Sequence, residues 1–267
     1  MRAKKSLGQH FLRSEKALTT IVQAGKIDKE DAILEIGPGM GALTRKLLET
    51  GAKVIAIEKD NDLFELLRRK FEKEITSGQL NLIHDDILKF IENSKLKIEN
   101  YKLIANIPYN ITGAILKKFL ETNYQPEQIV LLVQKEVAKR IMAQDGKESI
   151  LSISIKAYGV PKYIETVKAG SFVPAPKVDS AIIAIDNISK DFFSSVQSSA
   201  LDISEDNFFK ILKTGFKSKR KKLSSNLSTI FTKDKVREAF QKLNLDDNLR
   251  AEDVGIETWK KLTAYLY

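Results

Sequence analysis

The sequence predicts an α/β fold, in which helices cover both faces of a mostly parallel seven-stranded sheet, followed by a small all-helical domain. Short apolar runs alternate with amphipathic segments as far as about residue 188, and this alternation is typical of parallel sheets. The last two apolar runs are too close together for a helical crossover, so we expect them to form an antiparallel hairpin at one edge. Beyond residue 191 only helical periodicity remains.

The individual elements follow from local signals. Ser14 is a candidate N-cap for a first helix that runs toward Gly25. Apolar runs bounded by turn residues predict strands, and these cover residues 32–36, 53–58, 80–84, 102–105, 129–133, 163–168 and 180–186. Apolar residues at helical spacing predict helices at residues 60–74, 111–121 and 136–143. We therefore divide the chain into domains at residues 1–189 and 190–267.

Composition excludes several classes of protein. The 267 residues include no cysteine, which rules out a disulfide scaffold, a thiolate metal site and a cysteine nucleophile. The chain has only two histidines, which argues against a histidine-rich metal site. The formal net charge of +9 suggests a polyanionic partner, although solubility alone is an equal explanation. The longest aliphatic run is Ile129–Val133, and no apolar segment follows the basic N-terminus, so we expect a cytoplasmic protein without a membrane span.

A glycine-rich turn follows the first predicted strand. Its glycines permit positive φ angles and allow a ligand to approach the backbone closely, and free amides at the start of the next helix face that ligand. Gly37, Gly39 and Ala42 satisfy the dinucleotide fingerprint GxGxxA. The same two glycines with Gly41, after Glu35, satisfy the ExGxGxG pattern of S-adenosylmethionine enzymes. Glu58 would accept ribose hydroxyls in either case. Asp86 could accept from an adenine amino group or cap the following helix, so the turn alone leaves the cofactor open.

Asn106-Ile107-Pro108-Tyr109 follows the fourth predicted strand, where an open parallel sheet presents its ligand crevice. The exocyclic amine of adenine is a poor nucleophile because its lone pair is delocalised into the ring. Asn106 and a neighbouring backbone carbonyl could accept its N–H bonds and favour the reactive, pyramidal amine. Pro108 restrains the loop, and Tyr109 offers a face on which a flipped base can stack. The tetrapeptide therefore predicts chemistry on an adenine amine.

These motifs together resemble the ribosomal RNA adenine N6-dimethyltransferase family, and most closely its bacterial small-subunit (16S) branch. The resemblance covers nearly the whole chain. Its remaining components are the N-terminal Gly8-Gln9-His10-Phe11-Leu12 and the late FxPxPKVxSA-like phrase that begins at Phe172. The fold that this resemblance implies is the Rossmann-like class I S-adenosylmethionine-dependent methyltransferase fold.

The resemblance also implies roles for single residues. S-adenosylmethionine would be bound by His10, Leu12, Gly37, Gly39, Glu58, Asp86 and Asn106. The catalytic motif would be Asn106, Pro108 and Tyr109, and Phe172 would lie against the target base. His10 departs mildly from the asparagine that the family often has at this position. The implied substrate is a pair of adjacent adenosines in a loop near the 3′ end of 16S rRNA, in the immature small subunit during ribosome assembly.

A basic segment in the predicted helical domain is a candidate RNA-binding surface. It has no acidic residue, and its cations could pair with phosphates while adding little sequence specificity. The alternative is a solvated helix face. A basic FxxRRKxLxxxL segment of the family is similar to residues 216–227, although it does not match letter for letter. The candidate RNA-binding residues are Lys217, Lys219, Arg220, Lys221 and Lys222.

We expect direct transfer of a sulfonium methyl group to adenine N6, twice per base, by a monomer. No metal is needed, because the leaving group is neutral and the electrophile already carries positive charge. Three alternatives remain open. The chain could be a resistance methyltransferase acting on large-subunit rRNA, a non-catalytic assembly factor, or an NAD-dependent dehydrogenase, although the last leaves Asn106–Tyr109 unexplained.

Overall fold

A computed structural model describes residue 4 and residues 9–92, 98–194 and 203–267. The chain forms two compact units. The first comprises Met1–Ala138 and Val160–Ile188, and the second comprises Lys139–Gly159 and Ser189–Tyr267. None of the described helices is long and apolar enough to cross a membrane.

The first unit is built on a seven-stranded sheet with the order β4-β3-β2-β5-β6-β9-β7. Strands β4, β3, β2, β5 and β6 are parallel neighbours, whereas β9 runs antiparallel to both β6 and β7. The predicted parallel sheet and its antiparallel edge pair are therefore confirmed. The strands are β2 (Ala32–Ile36), β3 (Lys53–Glu58), β4 (Leu80–His84), β5 (Tyr101–Asn106), β6 (Gln128–Gln134), β7 (Val160–Val167) and β9 (Ser180–Asp186).

A separate two-stranded ribbon pairs β1 (Phe11–Leu12) with β8 (Phe172–Val173) in antiparallel register. It joins the N-terminal segment to the chain that connects β7 and β9. The helices of the first unit pack around the large sheet, and Ser14 caps the first of them by accepting from the Ala17 amide. These helices are α1 (Glu15–Ala24), α2 (Ala42–Leu48), α3 (Asn61–Lys70), α4 (Glu72–Thr76), α5 (Ile87–Glu92) and α6 (Thr112–Glu121), and α7 (Lys135–Met142) leads out of the unit.

The order of the strands places a crevice in the first unit. The chain runs from β2 to β3 and β4 on one side of the sheet, and then to β5 and β6 on the other side. Helices cover both faces, so β2, β5 and β6 are almost entirely buried. In sheets of this kind the carboxyl ends of the strands on either side of the reversal leave space for a ligand. That space lies beyond the ends of β2 and β5.

The second unit is helical. Trp259 is fully buried at its centre, where it stacks on Phe216 at a ring-centroid distance of 5.7 Å. Its indole N–H donates to the Val254 carbonyl at 3.1 Å. The helices are α8 (Ile150–Lys156), α9 (Glu205–Gly215), α10 (Leu223–Leu227), α11 (Lys233–Lys242) and α12 (Ile256–Leu266).

Residues 139–159 lie in the second unit, whereas our sequence-based division assigned them to the first domain. The Glu148 amide donates to the Glu252 carbonyl at 2.8 Å, and Lys147 pairs with Asp253. The Tyr158 ring contacts Phe193 edge to face at 5.3 Å. These contacts hold a segment from the middle of the chain within the C-terminal helices. No change of composition marks this excursion in the sequence.

Candidate active site

A cavity of about 270 Å³ lies at the carboxyl ends of β2, β3 and β5. Its walls come from the glycine-rich turn, the end of β3, the Asn106–Ile111 loop and the N-terminal segment. All of the residues predicted to bind the cofactor or to act in catalysis line it, with the exception of Phe172. These are His10, Leu12, Gly37, Gly39, Glu58, Asp86, Asn106, Pro108 and Tyr109. Five stretches of the sequence, the fifth being the turn at Asp86, therefore meet at the predicted crevice.

The glycine-rich turn adopts a conformation that glycine favours. Gly37, Gly39 and Gly41 have φ angles of 62°, 59° and 73°, in the left-handed region that other residues rarely occupy. A Cβ atom on Gly41 would lie 2.5 Å from Cε2 of Phe71. The turn therefore requires glycine both for its backbone angles and for its packing.

Glu58 ends β3 and holds the glycine-rich turn in place. Its Oε2 accepts from the Gly39 amide at 3.1 Å, and its Oε1 accepts from the Asp60 amide at 2.8 Å. The side chain is buried, and burial raises the pKa of Glu58 although these amides oppose the effect. Each oxygen retains a second lone pair for a ligand hydroxyl.

Asp86 caps a helix and also borders the cavity. Its Oδ1 accepts from the Leu88 amide at 3.0 Å, which caps α5. Its Oδ2 pairs with Lys59 Nζ at 2.8 Å, and the carboxylate still borders the cavity. Burial acts to raise the pKa of Asp86, but the Lys59 ammonium and the Leu88 amide outweigh it, so the pKa is lowered. The carboxylate thus remains an ionised acceptor.

The predicted catalytic loop places two polar groups at the cavity. Asn106, at the end of β5, donates from Nδ2 to the His10 carbonyl at 3.4 Å. Within the described part of the chain no group donates to its Oδ1. The Tyr109 hydroxyl and Ser180 Oγ are 2.6 Å apart, which fixes the phenol ring. Burial raises the pKa of Tyr109, and the bond with Ser180 opposes this. The Asn106 oxygen is therefore available to accept from a ligand amine.

The N-terminal segment closes one side of the cavity. His10 and Leu12 contribute to its lining, whereas Gly8 of the same motif lies outside the described residues. Asp60 binds this segment near its start: Lys4 Nζ lies 2.8 Å from Asp60 Oδ1, and Gln9 Nε2 donates to Asp60 Oδ2 at 3.1 Å. The end of β3 therefore positions both the glycine-rich turn and the N-terminal segment.

Phe172, for which the resemblance implies contact with the target base, does not border the cavity. Its side chain is 2% exposed and belongs to the hydrophobic core. It pairs with Leu12 in the β1–β8 ribbon. Phe172 and its partner Leu12 belong to the same hydrophobic core, and only Leu12 also lines the cavity.

Glu35 entered the sequence analysis only as the acidic residue of the glycine motif. In the structure it is a buried carboxyl group at the cavity with a raised pKa. It is 1% exposed and lines the cavity, and no described residue forms a hydrogen bond with its Oε2. Burial raises the pKa of Glu35 to about 8; Thr44 opposes this increase, and the negative charge of Glu58 adds to it. The available sequence signal is a carboxylate inside an otherwise apolar strand.

The predicted RNA-binding residues lie in the second unit, in the connection between α9 and α10. All five side chains are exposed, and among the residues described no acidic group pairs with them. They are Lys217, Lys219, Arg220, Lys221 and Lys222. The described parts of the chain contain no group of three or more His, Cys, Asp or Glu side chains that could hold a metal ion.

Comparison with known proteins identifies the family. Residues 1–267 match the family described as Ribosomal RNA adenine dimethylase. A Dehalococcoides mccartyi (strain CBDB1) protein named Ribosomal RNA small subunit methyltransferase A is 40% identical over 266 residues, which cover 98% of this chain and 88% of that protein. The chain belongs to the ribosomal RNA adenine dimethylase family. This membership confirms the resemblance drawn from the motifs.

Two solved structures share the fold of this chain. The crystal structure of a dimethyladenosine transferase from Plasmodium falciparum has a TM-score of 0.77 and 26% identity, and the match covers 95% of this chain and 96% of that one. The 23S rRNA methyltransferase ErmE has a TM-score of 0.75 and 24% identity, covering 96% of this chain and 99% of ErmE. The predicted class I methyltransferase fold is confirmed for this member of the ribosomal RNA adenine dimethylases.

Proposed function

We propose that this protein uses S-adenosylmethionine to dimethylate N6 of two adjacent adenosines in a loop near the 3′ end of 16S rRNA. One observation carries the proposal. Asn106 and Tyr109, the groups suited to an adenine amine, border the same cavity as Gly37 and Glu58, the groups suited to a nucleoside-containing methyl donor. The small-subunit substrate rests on the identity with relatives named for that subunit.

The polar groups of the cavity fit a cationic adenosyl ligand. Glu58 and Asp86 could accept from ribose hydroxyls and from the adenine amine, and Glu35 offers a buried oxygen that no residue in the described part of the chain engages. The left-handed glycine-rich turn leaves room beside the backbone. S-adenosylmethionine would supply a methyl group on a positively charged sulfur, which needs no further activation. We favour it over NAD, and equilibrium binding of S-adenosylhomocysteine against NAD tests this choice.

The residues of the chain would act by orientation. Asn106 Oδ1, together with a carbonyl of Ile107 or Pro108, would accept the N–H bonds of the target amine, two in the first transfer and one in the second, and direct its lone pair toward the methyl group. Tyr109, held by Ser180, would stack on the flipped base. The amine proton would leave late, to water. Positioning and exclusion of water would supply most of the rate enhancement.

The Asn106→Ala variant tests this mechanism. We expect tritiated methyl incorporation into undermethylated small subunits to fall at least about a hundredfold, with subunit binding retained. Asn81→Ala is the control, because Asn81 is an exposed asparagine on β4 at the edge of the sheet. Normal dimethylation by Asn106→Ala would contradict the mechanism. Loss of binding together with activity would instead favour a role for Asn106 in assembly.

The large-subunit alternative requires a comparison of substrates. Equal amounts of undermethylated small subunits and naked 23S rRNA should be incubated with the enzyme and a labelled donor. We expect label in the small subunit, and mass spectrometry should place four methyl groups on one pair of adenosines, since each of the two amines receives two. Labelling of 23S rRNA alone would refute the small-subunit assignment.

We further propose that the segment between α9 and α10 binds rRNA phosphates. Three substitutions to glutamine in this segment should weaken subunit binding and reduce the slope of log affinity against log salt by about 2 to 3. An unchanged slope would exclude phosphate contacts there. The test substitutions are Lys219→Gln, Arg220→Gln and Lys221→Gln, and three exposed lysines of the same unit serve as the matched control: Lys233→Gln, Lys242→Gln and Lys261→Gln.

The remaining expectations concern the state and location of the enzyme. We propose that it acts as a monomer on the immature small subunit in the cytoplasm. Light scattering of the free protein should then give the mass of a single chain, 30.1 kDa. A stable dimer at the concentrations used for activity would refute the proposal that the enzyme acts as a monomer.

A further inference from the structure

The backbone pairing of the β1–β8 ribbon stops just before Pro174. The side chain of His10 makes the next contact between the two segments. Phe11 lies opposite Val173 in this ribbon, so the next pair along would be His10 and Pro174. The backbone pairing of the ribbon ends at Phe11 and Val173. The His10 ring instead lies with Nδ1 2.7 Å from the Pro174 carbonyl oxygen. A carbonyl only accepts, so Nδ1 of His10 carries the hydrogen.

The backbone of the same residue orients the catalytic amide. The His10 carbonyl accepts from Asn106 Nδ2 at 3.4 Å. This bond decides which end of the amide faces the N-terminal segment, because only the nitrogen end can donate. Asn106 Oδ1 is left as the end that can accept from a ligand amine.

The ring of His10 also contacts the residue that would stack on the target base. The His10 and Tyr109 rings are nearly parallel, at an interplanar angle of 18° and a centroid distance of 6.0 Å, within the range of offset aromatic pairs. Ser180 fixes the far end of the phenol. His10 and Ser180 therefore limit the movement of Tyr109 from two sides.

We propose that His10 is a positioning residue for methyl transfer, and that its side chain connects the catalytic loop to the Val173–Pro174 segment instead of binding the cofactor. The proposal rests on the proposed function. The His10 carbonyl orients the Asn106 amide. The His10 ring packs beside Tyr109 and restrains it. The Nδ1 bond to Pro174 holds the ring in place. The resemblance implies a cofactor-binding His10, and the two roles make different predictions.

Three variants distinguish the effect of the hydrogen bond between His10 Nδ1 and the Pro174 carbonyl from the effect of the His10 ring itself. His10→Asn retains a donor at the position of Nδ1, His10→Phe retains a ring without the donor, and His10→Ala removes both. For methylation of small subunits we expect kcat to fall about tenfold in His10→Phe and His10→Ala, as for one lost hydrogen bond, and to be largely restored in His10→Asn. Affinity for S-adenosylhomocysteine should stay within about twofold of wild type in all three. Weaker S-adenosylhomocysteine binding that accounts for the loss of activity, or wild-type kcat in His10→Phe, would overturn the proposal.

The tautomer of His10 in the intact protein gives a test that needs no activity. The chain contains two histidines, and His84 provides the contrast because its Nε2 lies 3.3 Å from the Lys59 carbonyl. In ¹⁵N spectra at about pH 8, where an ordinary histidine is neutral, we expect one Nδ1–H ring and one Nε2–H ring. His84→Gln should remove the Nε2–H ring. An Nε2–H tautomer for His10 would overturn the proposal even if small-subunit methylation is confirmed. An Nδ1–H tautomer without any methylation would refute the proposed function while supporting the contact with Pro174.

Discussion

Replacing Glu35 by glutamine should change how the stability of the protein depends on pH. Glu35 is fully buried, and its pKa is raised from 4.5 to about 8. Below about pH 4.5 the carboxyl is protonated in both the folded and the unfolded chain, so it has no effect on stability there. Between the two pKa values only the unfolded chain ionises, and stability is lost as the pH rises. Above about pH 8 the loss is complete.

The size of the effect follows from the two pKa values. They differ by about 3.5, and each pKa unit corresponds to about 1.4 kcal/mol, so the full penalty is about 5 kcal/mol. Glutamine has nearly the same shape and does not ionise. The free energy of unfolding of Glu35→Gln minus that of the wild type should therefore rise by about 4 kcal/mol between about pH 5 and about pH 9.

Urea denaturation followed by circular dichroism measures this difference without added cofactor. Trp259 is the single tryptophan and lies in the helical unit, so its fluorescence reports that unit separately. Glu30→Gln, at a carboxylate whose side chain is 87% exposed, is the control and should show almost no pH-dependent difference. A Glu35→Gln difference that changes by less than about 1 kcal/mol over this range would show that Glu35 ionises in the folded protein as it does in water.

Three further substitutions separate structural from ligand-binding roles. Asp86→Asn should keep the helix cap but lose the anionic acceptor, so S-adenosylhomocysteine affinity should fall about tenfold by calorimetry, with a change in unfolding free energy below about 1 kcal/mol. Gly41→Ala should destabilise the protein by about 2–3 kcal/mol in urea, because of its positive φ and the contact with Phe71. Gly215→Ala should destabilise the helical unit by a similar amount, since its Cβ would lie 2.4 Å from the Trp259 ring, and tryptophan fluorescence measures this. Affinity unchanged in Asp86→Asn, or wild-type stability in either glycine variant, would contradict the assigned contacts.

The strands and the cavity-facing motifs could be predicted from sequence because they depend on local patterns. The alternation of apolar strands and amphipathic helices placed Asn106 and Gly37 at strand ends, and parallel strands bring such ends together. The start of β7 was harder to place, because Pro161 interrupts the apolar pattern. The structure accommodates Pro161 since β7 is an edge strand, where a missing amide donor is tolerated.

Helix α8 shows what a local pattern cannot reveal. Residues 150–155 alternate apolar and serine side chains with the period of a strand, apart from Ile150. The structure has a helix there because Ser149 and Ser152 form a reciprocal capping box, with bonds of 3.1 Å and 2.7 Å. The helix also packs against α9, which lies far away in sequence. The placement of Phe172 in the core likewise depends on the pairing of β8 with β1, which no signal in either segment predicts.

The acids of the site are oriented before any ligand binds. Glu58 accepts from two backbone amides and Asp86 from one, so the fold fixes the direction of each remaining lone pair. Asn106 is oriented in the same way by the His10 carbonyl. A ligand that meets acceptors already held in position loses less conformational entropy on binding, and the reacting amine needs no rearrangement of the protein. In the proposed mechanism the glycine-rich turn and the short β1–β8 ribbon would therefore contribute to catalysis through the residues that they hold, although few of their own side chains would contact the reacting atoms.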